Sequence, residues 1–208
     1  MGDREIEQVI EAVRAGLPVL LPTDTVYGLA TSAEREAYAT AVYRLKGRPA
    51  TQPSALLAAE VDTLLEFVPE LRGRGEVIAR ALLPGPFTLI LGNPAKRYPW
   101  LNGTSPETIG VRVAELPPDA RRVVKAVDVI AATSANDAGE PAAASLDEVP
   151  QRIRAGCGAE IDAGRLSGIA STVIDFTGAE PVVLREGAAS SADAIARARG
   201  ALAASSIA

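Results

Sequence analysis

Residues 129–136 read Val-Ile-Ala-Ala-Thr-Ser-Ala-Asn, a short apolar run followed by hydroxyl and amide side chains. An apolar run of this length that ends in polar turn residues is typical of a buried strand. In open α/β sheets, ligands bind beyond the carboxyl ends of strands. We therefore expect Ser134 and Asn136 at a strand exit that faces a ligand, although an ordinary polar turn would have the same composition.

A cationic turn, Lys46-Gly47-Arg48-Pro49, lies far upstream at the end of a predicted helix. Two interpretations of it remain open. Cations in a last helical turn complement the helix dipole, glycine adopts the left-handed cap, and proline stops the helix. Alternatively, Lys46 and Arg48 bind phosphate groups, for which arginine offers paired donors and lysine a point charge.

A threonine-rich loop and two arginines add further candidates. Residues 22–28 (Pro-Thr-Asp-Thr-Val-Tyr-Gly) follow an apolar strand, and their side chains either satisfy local backbone groups or line a ligand site. Arg112 lies inside an apolar strand, where a charge must reach solvent, pair or bind a ligand. Arg185 closes another apolar run, and the adjacent Glu186 makes a salt bridge an open alternative.

Periodicity and turn residues predict strands mixed with helices along the whole chain. The predicted helices are 3–15, 33–45 with Ser32 as N-cap, 75–83, 120–127 and 145–155 with Ser145 as N-cap, and the predicted strands are 17–21, 54–58, 87–91, 108–113, 129–132, 172–176 and 181–184. The last two strands form a hairpin through residues 177–180. This pattern predicts one α/β domain over residues 1–208 with a mixed sheet, a core of about 5–187 and an alanine-rich, weakly helical tail of about 191–208.

Composition excludes several classes of protein. The 208 residues include no histidine and one cysteine, Cys157, so a histidine-based catalytic triad and an internal disulfide are both impossible. The net charge of -5 and 4% aromatic residues argue against a nucleic-acid-coating surface. No apolar run approaches about 20 residues and no secretory leader is visible, so we expect no membrane contact and a cytoplasmic location.

Each motif is weak alone, but together they resemble an ordered set found in one family. The matching segments are 22–29 (PTDTVYGL), 46–49 (KGRP), 83–88 (LPGPFT), 110–113 (GVRV), 133–136 (TSAN), 171–175 (STVID) and 184–187 (LREG). Their order and content are similar to those of the YrdC-like family, the threonylcarbamoyl-AMP synthases. The resemblance covers roughly residues 17–187.

The resemblance implies a single-domain YrdC-like fold, a twisted sheet of parallel and antiparallel strands with flanking helices and a concave cationic cavity. It also implies a nucleotidyltransferase that makes threonylcarbamoyl-AMP from L-threonine, bicarbonate and ATP with release of pyrophosphate. Mg²⁺ would accompany ATP, with no protein side chain as a metal ligand. A tRNA threonylcarbamoyltransferase partner would use the product to modify an adenosine of tRNA. Direct tRNA binding by this chain is expected to be weak or absent, which suits its acidic net charge.

The resemblance also suggests site residues, which are expectations at this point. The catalytic set is Lys46, Arg48, Ser134 and Asn136. The ATP-binding set is Arg48, Gln52, Thr108, Ser134 and Arg185, and the threonine-binding set is Thr25, Arg112, Ala132 and Ser171.

Four positions depart from the family pattern, namely Gln52, Leu57, Ala142 and Ala170. Gln52 stands where the family usually has asparagine, and Leu57 where a histidine is common. These changes keep a second possibility open, a divergent paralogue similar to the YciO branch with weak or different nucleotide-dependent activity. A non-enzymatic RNA-binding module is a third possibility, which the net charge disfavours.

Overall fold

The computed structural model describes residues 1–205; residues 206–208, the end of the predicted tail helix, lie outside the described residues. The helices are α1 (Asp3–Arg14), α2 (Glu36–Lys46), α3 (Val61–Phe67), α4 (Arg74–Leu82), α5 (Pro118–Val127), α6 (Gln151–Ala155) and α7 (Ser191–Ser205). The strands are β1 (Val19–Pro22), β2 (Tyr27–Ser32), β3 (Ala55–Ala58), β4 (Phe87–Gly92), β5 (Thr108–Val113), β6 (Val129–Ser134), β7 (Ala159–Glu160), β8 (Thr172–Asp175) and β9 (Val182–Arg185). No helix within this described part of the chain combines the length and apolar character needed to cross a membrane.

The described strands form one continuous sheet in the order β7-β1-β2-β6-β3-β5-β4-β8-β9. The pairs β1/β7, β3/β5 and β4/β8 are parallel, whereas the other five pairs are antiparallel. The predicted mixed sheet in an α/β fold is therefore confirmed. The predicted terminal hairpin is confirmed as the antiparallel pair β8/β9.

The two faces of the sheet are covered differently, and this difference creates the site. Alternate strand residues such as Leu56 and Val111 join the main core beneath α2, α3, α4 and α7. On the opposite face, α1 and α5 cover only the part that includes Ala30 and Ile130. The rest of that face stays open and forms a concave surface.

Three local predictions were wrong. Residues 27–32 form β2 rather than a loop followed by a helix cap, and α2 begins at Glu36 with Arg35, not Ser32, as its N-cap. Every residue of β2 is buried, so the strand lacks the alternation that would have revealed it. The predicted helix 145–155 is divided by Pro150 into a short 3-10 turn and α6, because proline disfavours helical geometry in the residue before it.

Candidate active site

The open face of the sheet holds a cavity of about 470 Å³. Its floor is a row of small residues on three neighbouring strands, in which Ala55 pairs with both Ala132 and Gly110. Gly110 also pairs with Ile90, and a Cβ placed on Gly110 would lie 3.3 Å from Ile90 Cδ1. Small side chains along this row leave the volume above the sheet free for a ligand.

Lys46 lies at the end of α2 and reaches one side of the cavity. Gly47 caps the helix in the left-handed conformation, so the predicted helix-end geometry is present. The Lys46 side chain nevertheless turns inward, where Nζ donates to Ser134 O at 2.7 Å, Asn136 O at 2.7 Å and Asn136 Oδ1 at 2.9 Å. Burial, reinforced by the charge of Arg48, lowers the pKa of Lys46 to about 8.

Asn136 extends this network into the loop that follows β6. Its Oδ1 accepts from Lys46, and its Nδ2 donates to Asp137 O at 2.8 Å and Glu140 O at 2.5 Å. The lysine and the asparagine therefore hold the loop from Ser134 to Glu140 in one conformation. Ser134 and Asn136 both line the cavity, at the strand exit where the sequence placed them.

Arg48 fixes a second loop against β6. Its guanidinium lies 4.7 Å from the ring centroid of Tyr43, and Nη2 donates to Ser54 Oγ at 2.5 Å while Nη1 donates to Thr133 Oγ1 at 3.2 Å. Nε is buried without a hydrogen-bond partner among the described residues. Burial lowers the pKa of Arg48. No carboxylate in the described part of the chain pairs with Arg48 or Lys46.

Arg112 is the buried arginine at the other end of the cavity, with a side chain only 10% exposed. Its Nη2 donates to Asp24 Oδ1 at 2.5 Å and to Thr25 Oγ1 at 2.6 Å, and its Nε is buried without a described partner. Burial lowers the pKa of Arg112, and the negative charge of Asp24 opposes that shift. Arg112 is thus paired with Asp24, and it also lines the cavity.

Arg185 approaches Arg112 from β9. Its Nε and Nη2 donate to Ser171 O at 3.0 and 2.8 Å, and Nη2 also donates to Ser171 Oγ at 3.1 Å. Burial, and then the positive charge of Arg112, lowers the pKa of Arg185. The alternative of a salt bridge through Glu186 is wrong, because Glu186 forms none with the described cations and its carboxylate accepts from the backbone N–H of Ser191.

The remaining predicted site residues occupy different places. Gln52, Ala132 and Ser171 line the cavity. Thr25 is fully buried behind Arg112, to which it contributes a hydroxyl acceptor. Thr108 does not line the cavity: its hydroxyl donates to Ser105 O at 3.0 Å at the start of β5, so an ATP contact by Thr108 stays a prediction.

Sequence reasoning missed the hydroxyls of Ser54 and Thr133, which accept from Arg48, and the carboxylate of Asp24. The signal for Asp24 was present in the Thr-Asp-Thr segment, but a local turn accounted for it equally well. Leu57, where the resemblance implies a histidine, pairs directly with Arg112 across β3 and β5 and lines the cavity. An apolar side chain thus lies beside the buried guanidinium.

The charges that line the cavity are unbalanced. Four cations line it, Lys46, Arg48, Arg112 and Arg185, whereas Glu140 is the only carboxylate residue among the lining residues. Asp24 compensates Arg112, but the other three cations hydrogen-bond only to neutral oxygens. Such a site favours a ligand with several negative charges. Within residues 1–205, no cluster of three or more histidine, cysteine, aspartate or glutamate side chains could hold a metal ion.

Sequence comparison identifies relatives of this chain. The model of the Sua5/YciO/YrdC family, which carries the description telomere recombination, matches residues 11–187. The threonylcarbamoyl-AMP synthase of Pyrococcus abyssi is 33% identical over 180 residues, which are 84% of this chain and 52% of that protein. The chain therefore spans about half the length of this relative.

Solved structures share the fold. Sua5 from P. abyssi, complexed with L-threonine, superposes with a TM-score of 0.80 at 31% identity, over 90% of this chain and 55% of that one. YciO from E. coli gives the same TM-score of 0.80 at 27% identity, over 91% of this chain and 92% of that one. The fold is thus common to both branches of the family, and the chemistry must be argued from the site.

Proposed function

This chain belongs to the Sua5/YciO/YrdC family, and from that premise we propose that it is an enzyme that makes threonylcarbamoyl-AMP from L-threonine, bicarbonate and ATP. The observation that carries the proposal is the cavity with cations at both ends and a floor of small residues between them. This arrangement suits two substrates bound side by side, a nucleoside triphosphate with its phosphates and an amino acid with its carboxylate. The threonine complex of P. abyssi Sua5, which shares the fold, supports the second of these.

The proposed reaction has two bond-forming steps. The amine of threonine adds to the carbon of bicarbonate, and loss of water leaves a carbamate. A carbamate oxygen then attacks the α-phosphorus of ATP, the bond from that phosphorus to the bridging oxygen breaks, and pyrophosphate leaves. The second step is a nucleotidyl transfer. The negative charge of its transition state is stabilised by hydrogen-bond donors that are already in position and need not reorganise.

We assign the phosphate end of the cavity to Lys46, Arg48, Gln52 and Ser134, and the threonine end to Thr25, Arg112, Ala132 and Ser171. Arg185 lies at the threonine end, where it donates to Ser171, so its contact with ATP stays a prediction. Lys46 acts chiefly by holding Ser134 and Asn136, because its ammonium already donates to three oxygens of these residues. Arg48 lines the cavity and donates only to neutral oxygens, so its positive charge remains available to phosphate groups.

We propose that Mg²⁺ enters with ATP and is held by its phosphates. The described residues offer no acidic cluster for it, which fits a metal carried by the substrate. When bound, the ion would neutralise part of the triphosphate charge. The product would pass to a tRNA threonylcarbamoyltransferase, and we place both steps in the cytoplasm, where ATP and tRNA are available.

The direct test is detection of the product by mass spectrometry from purified protein, ATP, Mg²⁺, L-threonine and bicarbonate. We expect threonylcarbamoyl-AMP and pyrophosphate, with both lost when either threonine or bicarbonate is omitted. Binding of ATP and threonine without product would contradict the proposal and favour a paralogue with another acceptor, as the changes at Gln52 and Leu57 suggest.

The affinity for ATP is expected to depend on pH through Lys46. The pKa of about 8 means that the ammonium predominates below that pH and is lost as the pH rises through it. The Kd for ATP should therefore be constant up to about pH 8 and increase above it. Calorimetric titrations from about pH 6.5 to about pH 9.5 would measure this. The Lys46→Met protein should bind ATP more weakly at neutral pH, and its Kd should not begin to increase near pH 8. A wild-type Kd that stays constant over the whole pH range would contradict the prediction.

A further inference from the structure

Asp24 lies in the loop between β1 and β2, with a side chain only 12% exposed. Its two carboxylate oxygens have different partners. Oδ1 accepts from Arg112 Nη2 at 2.5 Å, whereas Oδ2 accepts from the backbone N–H of Glu115 at 3.2 Å, just beyond the end of β5. Asp24 therefore ties its loop to both the side chain of Arg112 and the backbone that follows the same strand.

The contacts of Arg112 are confined to one part of its guanidinium. Both of its described hydrogen bonds, to Asp24 and to Thr25, leave from Nη2. Nε is buried without a partner, and Nη1 donates to no described residue. Since Arg112 lines the cavity and the protein covers Nε, Nη1 is the group whose donors remain for a ligand.

The loop that carries Asp24 is itself held firmly. Thr23 Oγ1 lies 3.0 Å from Thr25 Oγ1, and it accepts from the backbone N–H groups of Thr25 and Val26 at 3.2 Å. The carbonyl of Thr25 accepts from Gly168 N at 3.0 Å and from Ser167 Oγ at 2.9 Å. A buried carboxylate on such a loop has one orientation, and so has the guanidinium bound to it.

The charges at this end of the cavity also favour a carboxylate ligand. Asp24 neutralises Arg112, while the nearby Arg185 contacts only the neutral oxygens of Ser171. This end of the cavity therefore carries one uncompensated positive charge from its two arginines. A ligand with a single carboxylate would balance it.

We infer that Asp24 is a positioning residue for the amino-acid substrate, holding Arg112 by Nη2 so that its free donors meet the substrate carboxylate. This inference rests on the proposed function, because it takes the amino acid to be the ligand at Arg112. It adds a role for a carboxylate that does not itself touch the substrate.

Asp24→Asn tests this role because its electrostatic and positioning effects have opposite signs. Removing a negative charge from a cationic cavity would by itself tighten the binding of an anion. Asparagine has one acceptor oxygen, so it can keep only one of the two described contacts, and Arg112 loses its fixed orientation. We expect the Kd for L-threonine to increase by about tenfold, with the Kd for ATP unchanged. Isothermal titration of the full chain with each ligand measures both.

The matched control is Glu140→Gln, which also removes a carboxylate from the cavity lining but makes no described contact with Arg112. Its threonine affinity should be equal to that of wild type or tighter. The inference would be overturned if the Asp24→Asn protein folds and binds threonine as tightly as wild type or more tightly. Failure of the wild-type protein to bind threonine would instead overturn the proposed function.

A measurement on the wild-type protein keeps the inference testable if Asp24→Asn does not fold. The side-chain N–H signals of Arg112, assigned by their absence in Arg112→Lys, report rotation of the guanidinium in NMR spectra. We expect restricted rotation in the free protein and a shift of these signals on addition of L-threonine but not ATP. Freely rotating, averaged signals in the free protein would overturn the inference.

Discussion

Lys46→Ala is expected to reduce kcat/KM for threonylcarbamoyl-AMP formation by on the order of 10³-fold while the protein stays folded. The Lys46 ammonium anchors the loop after β6 through Ser134 O, Asn136 O and Asn136 Oδ1. Its removal releases that loop and removes one of the four cations that line the cavity. Water can reach the vacated oxygens through the cavity, so the cost in stability should be modest.

The effect of Lys46→Ala is measured from the rate of product formation, with circular dichroism and thermal unfolding as checks of the fold. Arg44→Ala is the matched control, because Arg44 lies in the same last turn of α2 but is exposed. It should retain wild-type activity. A folded Lys46→Ala protein with activity within about tenfold of wild type would refute the proposed role.

Much of the fold could be predicted because polar and apolar residues alternate along strands such as β5. One face of such a strand lies in the main core and the other faces the cavity. β2 was missed for the opposite reason: all six of its residues are buried, and its first residues continue a segment rich in turn-forming side chains. Pro150 shows a different limit. The helical pattern around it is real, but the residue before it, Val149, is extended, and local backbone geometry outweighs periodicity there.

The candidate site was predictable where its residues lie at the ends of elements. Lys46 and Asn136 are 90 positions apart, yet a helix end and a strand exit on one side of a sheet bring them within 2.9 Å. The pairing of Asp24 with Arg112 was not predictable, because a turn of the Thr-Asp-Thr type satisfies its own polar groups whether or not a distant arginine reaches it. The catalytic and binding roles of these residues remain predictions.

The cations at the two ends of the cavity have different partners, so the functions of the two ends can be tested separately. At the phosphate end, cations bond to neutral oxygens and keep their charge uncompensated. At the threonine end, Asp24 removes one charge and fixes the direction of Arg112. A substitution at one end should therefore change the affinity for one substrate and leave the other nearly unchanged.

Arg48→Ala is expected to raise the Kd for ATP by on the order of 10²-fold and to leave the Kd for L-threonine within about twofold of wild type. Arg48 bridges Ser54 and Thr133, donates to Pro53 O and stacks on Tyr43, and alanine removes the charge together with all three hydrogen bonds.

Arg48→Lys separates charge from geometry, because lysine keeps the positive charge but not the planar fork that reaches both hydroxyls. We expect it to be intermediate, with ATP affinity reduced by about tenfold. Titration calorimetry with each substrate measures all of these constants, and Arg44→Ala again controls for the loss of a cation near the end of α2. Unchanged ATP affinity in folded Arg48→Ala would show that this arginine does not bind ATP, since no other described side chain bridges Ser54 and Thr133 in its place.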